Sequence, residues 1–450
     1  MKHLKDWLDR LKSRPASGHY WKDQHHQEAL EALASCDGQD DWIRLSTHGN
    51  GFVREAAVRA LAEQLSPDAL AALLERVNDW VPQIRQLASN GVRLYLTPDQ
   101  APALLNALQP LMALVERQRA DHAPTLAAAR AALQAPEARN QVEEVFVASH
   151  GKAARFLFKL LLDVSSEPTA LLRNALGHRE MTVRQMAVSA CKDLPAQQAR
   201  PLLLSALETP GASVRVSVLH ALLPLLDDPR PLISDALLDP SHALRSLARW
   251  AAPRWQIDAR AVLERRLGGK VPNSRKDWLG LLGLASELSV QLDSEWQLQA
   301  LKAPAISVRL AAVAGLGHAD ISQQLMMLDD PSSKVFNQAV ERLRNQSWPT
   351  LALELDARLD RAWHELPADR RDALMRLRPR WQQLAYLLRR LQQASADHAY
   401  WLGQLNDWCE RQYLMVDPVT SKAEREELLR SVERMEQDGL LPKGSAKKLH

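Results

Sequence analysis

An all-α fold is predicted for this chain: an α-solenoid (superhelix) of stacked antiparallel helix pairs, with a distinct helical C-terminal region. Three observations predict it. Val53, Ala56, Ala57, Ala60 and Leu61 fall at i, i+3, i+4, i+7 and i+8, one face of a helix. That unit, opened by a polar turn and closed at Ser66 and Pro67, returns along the chain at a period of about 31 residues. Alternating runs that would signal strands are almost absent, aromatics are 5% and only 17 of 450 residues are Gly, a composition suited to helices.

Residues 1–47 read as an N-terminal helical cap. Leu4, Leu8 and Leu11 share a face, Pro15–Gly18 breaks the segment, and Tyr20–Ala34 forms a second helix. His19, His25 and His26 lie here near Asp23 and Glu28, but adjacent histidines point to different helix faces and make a poor chelate, so no metal site is expected.

Residues 48–345 read as the repeat array. An arginine marks each clear copy: Arg54, Arg85, Arg184, Arg215, Arg245 and Arg309. Arg54 to Arg85 is 31 residues, Arg184 to Arg215 is 31 and Arg215 to Arg245 is 30. Arg245 to Arg309 is 64, two periods with a copy hidden near Asp277, Trp278 and Leu279. Arg85 to Arg184 is 99, three periods, with degenerate copies at Thr125–Ala129 and Ala153–Leu157. Gln109–Ala120 and Ala123–Leu133 read as an Ala-rich hairpin, and Asn140–Leu162 as a long apolar helix or a pair. A weaker copy, Ser333–Val340, carries Phe336 in place of the arginine. One helix pair cannot bury its own apolar face, so each copy needs its neighbours as a core. The clearest long loop of residues 181–345, Gly268–Asn273, is either a binding loop or an insertion between repeats.

Residues 346–416 form an Arg/Trp-rich helical region, and residues 417–450 a C-terminal amphipathic helix from Ser421 to Asp438 followed by a basic tail expected to be disordered. Between 370 and 390 seven arginines stand against one acid, Asp372.

The turn, the Val-Arg pair and the Ala/Leu/Val-rich helix resemble the second helix of HEAT repeats in their short bacterial form, over roughly residues 25–345. The resemblance implies an Asp six residues before each Arg, with Asp and Arg of successive repeats forming an internal ladder. Asp79 and Asp239 stand at that offset before Arg85 and Arg245, and Asp330 stands six before Phe336. The other copies carry His48, His178, Thr209 and Ala303 there, so the implied ladder is incomplete.

On function the residues are quieter. No nucleophile elbow, phosphate-binding loop, zinc-binding His-Glu-x-x-His or Cys-x-x-Cys motif is present, so neither a catalytic residue nor a cofactor is expected. Net charge is +3, which permits anionic partners without requiring them. Cys36, Cys191 and Cys409 are far apart and odd in number, the pattern of reduced thiols. The start, Met1 to Trp7, leads into a charged amphipathic segment, so a cytoplasmic protein without a membrane span is expected.

Two arginine sets are the candidate binding residues. Arg54, Arg184, Arg215 and Arg309 share one register and form either a buried ladder or a track for a polyanion. Arg370, Arg371, Arg376, Arg378, Arg380, Arg389 and Arg390 form either a solvated helix face or a contact for nucleic acid or an acidic protein, with Trp381 and Tyr386 able to stack on bases or to sit in the core. The expected function is a non-catalytic scaffold or adaptor that holds a protein partner on the concave face of the array. The alternative is DNA binding through the arginines, including an activity like that of the HEAT-like glycosylases that remove alkylated bases.

Overall fold

The computed structural model describes the backbone of residues 2–14, 20–34, 36, 38–209, 211–393, 397–410, 417 and 419–449, and their side chains except those of residues 2–4 and 20–22. The break expected at Pro15–Gly18, and His19 with it, lie outside the described residues. Among the described residues 74% are helical and there is no strand. No helix among them is long and apolar enough to cross a membrane. The chain divides into two compact units, residues 1–228 and 229–450.

In the first unit, the Gly51–Ala62 helix is the repeat read from the sequence. Asn50 caps it by accepting the Phe52 N–H at 3.0 Å, and its apolar stripe from Val53 to Leu61 is buried. Ser66 caps the next helix, Pro67–Arg76, with Pro67 in its first turn. That helix packs on Gly51–Ala62 and on Pro82–Arg93, and those two pack on each other. The buried Tyr95 hydroxyl fixes the turn between Gly51–Ala62 and Pro67–Arg76, donating to the Gln64 carbonyl at 2.7 Å and accepting from the Ser66 N–H at 3.0 Å. The scheme returns as Arg139–Ala148 with Gly151–Val164, Thr169–Leu176 with Met181–Cys191, and Ala196–Ala206 with Ala212–Leu222. Gly151–Val164 also packs on Met181–Cys191, and Met181–Cys191 on Ala212–Leu222.

Of the two forms open for Asn140–Leu162 the structure takes the second, and one other segment differs from the sequence reading. Asn140–Leu162 is a helix pair, split at Ser149 and His150. Gln109–Ala120 is not one helix: Leu108–Ala113 passes into a 3-10 turn, Leu114–Glu116, and then leaves helical geometry. Polar contacts draw this stretch back onto the earlier repeat. Arg117 pairs with Glu75 at 2.9 Å, and the Asn78 side chain accepts the Arg119 N–H at 3.0 Å.

In the second unit the pairs are Arg230–Leu237 with His242–Ala251, Ala259–Leu267 with Arg275–Glu287, Ser294–Leu301 with Ile306–Gly315, and Ile321–Met326 with Ser333–Leu343. Arg275–Glu287 is the copy hidden in the sequence. Its glycines explain the disguise: a Cβ at Gly280 would stand 1.8 Å from the Leu238 carbonyl oxygen, and one at Gly283 would stand 2.3 Å from the Arg245 guanidinium. Close approach of backbone and arginine replaces side-chain packing there.

Beyond residue 345 come Trp348–Ala362, Ala368–Arg376, Arg380–Gln393, His398–Glu410 and Lys422–Gln437. The tail is ordered, against expectation. Glu436 accepts the Gly444 and Ala446 N–H groups at 2.6 and 3.1 Å, Lys448 pairs with Glu410 at 2.7 Å, and Leu449 is buried in a final 3-10 turn.

Candidate functional site

Four of the marker arginines are fixed by the chain just before them. Arg54 donates through Nη1 to the His48 carbonyl, Arg85 to that of Asp79, Arg245 to that of Asp239 and Arg309 to that of Ala303, at 2.7 to 2.9 Å. In these four an acceptor lies six residues back, and a carbonyl serves whatever the side chain is. This is why Arg309 is held although Ala303, six residues back, has no polar side chain.

The side chain at that position does two other things. It accepts the N–H two residues on: His48 from Asn50 at 3.0 Å, Asp79 from Val81 at 2.9 Å, His178 from Glu180 at 3.0 Å, Asp239 from Ser241 at 2.8 Å and Asp330 from Ser332 at 2.8 Å. Histidine replaces Asp here because its Nδ1 supplies the same acceptor, which leaves Nε2–H of His178 to donate to the Phe146 carbonyl at 3.1 Å. At Asp79 and Asp330 the carboxylate also serves an arginine of the preceding copy. Arg54 reaches Asp79 at 3.0 and 3.2 Å, and Arg309 reaches Asp330 at 2.6 and 3.1 Å. Asp330 therefore keeps its purpose although its own repeat has Phe336. Arg245 finds no such Asp in the helix that follows and takes Glu287 at 2.6 Å.

These pairs are buried and electrostatically set. Burial alone would raise the Asp79 carboxyl, but hydrogen bonds from Arg54 and Val81 and the charges of Arg54 and Arg76 hold it below its ordinary value. The hydrogen bonds that Arg309 donates to Asp330 raise its guanidinium against its burial. Arg54 is 2% exposed. As candidate polyanion contacts, Arg54 and Arg309 therefore have their donors committed inside the protein. Arg184 and Arg215 are half-buried, and the Arg184 guanidinium packs beside Gly211, 3.5 Å from where a Cβ would stand.

The C-terminal arginines are likewise drawn inward. Arg378 is 4% exposed, pairs with Asp356 and lies over the Tyr386 ring at 4.2 Å. Burial pushes its guanidinium below the usual range despite Asp356. Arg389 bonds Asp360 at 2.8 Å and Arg390 bonds it at 3.2 Å, with Arg390 over Trp401 at 4.7 Å. Arg370 donates to the Asp330 carbonyl at 2.8 Å over the Phe336 ring, and Arg371 donates to the Trp363 carbonyl at 3.2 Å. Only Arg376 and Arg380 of the seven are exposed. Trp381 and Tyr386 are core residues, so neither presents a face for stacking on bases. The sequence window hid this because the neutralising acids, Asp356 and Asp360, come from the preceding helix, Trp348–Ala362.

Two open grooves lie between the starts of successive second helices. One, of about 530 Å³, runs between Gly51–Ala62 and Pro82–Arg93 and is lined by His25, Phe52, Glu55, Trp80, Val81 and Gln83 among others. Trp80 is 66% exposed, and the Arg54 guanidinium supports its ring from 5.1 Å. The other, of about 700 Å³, runs between Arg275–Glu287 and Ile306–Gly315, where Val271, Pro272 and Asn273 of the long loop face Trp278, Leu298 and Pro304. No sequence signal marked Trp80, because its exposure depends on the fold around it. Among the described residues no group of three or more His, Cys, Asp or Glu is placed to hold a metal ion. No family model matches the chain, and no curated protein matches it.

Proposed function

We propose that this protein is a non-catalytic scaffold whose helix pairs stack as an α-solenoid and which holds a protein partner in the grooves between them. The observation that carries the reading is Trp80. It is a large aromatic, two-thirds exposed, held in place by a buried arginine and standing over a groove. Rigid, exposed aromatics beside pockets are the side chains on which protein interfaces concentrate their binding energy. The arginines that a polyanion track would need are mostly engaged with acids and carbonyls of the chain itself, which favours a protein over a nucleic acid.

The test is retention of partners by the tagged full chain in extract of its host, with and without nuclease, comparing wild type with Trp80→Ser. One protein retained at near-equal amount in both arms, and lost from a folded Trp80→Ser variant, supports the scaffold. Material that disappears on nuclease treatment, or that Trp80→Ser retains unchanged, overturns it.

A further inference from the structure

A smaller cavity, of about 310 Å³, lies in the second unit at the C-terminal ends of Arg275–Glu287 and Ile306–Gly315. Its size sits at the lower end of the range for small-molecule sites. Leu282, Val290 and Ala312 give it an apolar wall, while Ser286, Ser289 and Gln291 bring polar groups. Arg342, from Ser333–Leu343, is the one charged residue that lines it.

Arg342 faces this cavity from the last helix of its pair. It is half-buried, yet among the described residues its guanidinium has no hydrogen-bond or ion-pair partner. The neighbouring acids are engaged elsewhere: Glu341 pairs with Arg344 at 2.6 Å, and Asp320 accepts the Gly317 N–H at 2.7 Å and Gln297 Nε2 at 3.3 Å. Its donors are therefore free to take an anion that enters the cavity. The wall is also shaped with a disfavoured residue. Ser289 takes φ +54 to end its helix, with the Val290 N–H on the Ala285 carbonyl at 2.9 Å, at a position where glycine is the usual choice. Serine there keeps a hydroxyl at the cavity.

We propose that this cavity binds a small monocarboxylic acid with a compact apolar body, its carboxylate on Arg342 and its body against Leu282, Val290 and Ala312. A carboxylate matches the planar fork of arginine through two parallel hydrogen bonds. A phosphate dianion fits less well, because no second cation lines the cavity.

The experiment is titration of the full chain with phenylacetate, and separately with phenylacetamide, by calorimetry or ligand-observed NMR. Saturable phenylacetate binding is expected, weakened about tenfold or more by Arg342→Gln and comparably by the change to the amide. Ala314→Leu, at an exposed residue on the cavity wall, obstructs the cavity without touching the arginine and should also abolish binding. The proposal is overturned by absence of saturable binding up to about 10 mM phenylacetate, by equal binding of the amide, or by unchanged affinity in a folded Arg342→Gln or Ala314→Leu protein. None of these readouts depends on the partner proposed for the Trp80 groove.

Discussion

Arg54 meets Asp79 of the following repeat side-on, Nε to Oδ2 at 3.0 Å and Nη2 to Oδ1 at 3.2 Å, with both side chains almost completely buried. Removing one partner leaves the other as an uncompensated buried charge. Asp79→Ala should therefore cost about 3–5 kcal/mol. Replacing both, as Arg54→Met with Asp79→Leu, should recover much of that loss, although Val81 N–H then lacks its acceptor. Urea unfolding of the two single variants and the double variant gives the coupling. A loss below about 1 kcal/mol for Asp79→Ala would place this rung with exposed ion pairs rather than buried ones.

The same pair sets an acid limit. The folded pKa of Asp79 lies below its ordinary 3.8, so the stability it contributes is present above pH 3.8 and is lost as pH falls through the lower folded value. Asp360 and Asp417 are also held low against their burial, by Arg389 and by Thr420 respectively, and act in the same window. A separate step lies higher. Burial lowers His122 from 6.5, so its contribution is present above that pH and declines as pH falls below it. Thermal midpoints followed from neutral to strongly acidic pH should show both declines. Asp79→Asn should flatten the lower one and His122→Gln the upper. An unchanged lower decline in Asp79→Asn would separate the rung from acid unfolding.

Much of the helical pattern was legible because burial of a helix face imposes a spacing that one sequence displays. The arginine period located six second helices, and a 64-residue gap located a seventh at Arg275–Glu287. Pairing was less visible, because partners lie at irregular separations. Arg54 to Asp79 is 25 residues, Arg309 to Asp330 is 21 and Arg245 to Glu287 is 42. His48 and His178 looked like departures from an acid pattern until the turn showed that an acceptor was the requirement. Arg342 carries no sequence mark at all, since being unpaired is a property of its surroundings.

The C-terminal tail depends on Glu436, whose carboxylate is held below its ordinary 4.5 by hydrogen bonds from the Gly444 and Ala446 backbone. Docking is therefore strongest above pH 4.5 and weakens as pH falls through the lower bound value. Glu436→Ala should release residues 443–449 without unfolding the rest. Trypsin cleavage at Lys443, or amide exchange at Gly444 and Ala446, should accelerate several-fold. Exchange rates matching wild type would mean that burial of Leu449 alone holds the tail.

The arginines between 370 and 390 need to be tested in two groups. Arg376→Glu with Arg380→Glu alters exposed charges and should change stability by no more than about 0.5 kcal/mol. Arg378→Ala strips a buried partner from Asp356 and from the Tyr386 ring, and should cost about 3–5 kcal/mol. Reversal of the whole cluster would therefore abolish binding of any partner through unfolding and prove nothing about contact. The exposed pair isolates the question. If the chain binds nucleic acid through this face, Arg376→Glu with Arg380→Glu should weaken binding across all sequences and lower the salt dependence by about two phosphate contacts. If the face is only a solvated helix surface, a fluorescence titration with short duplex and single-stranded DNA at low salt should give the same curve for wild type and variant.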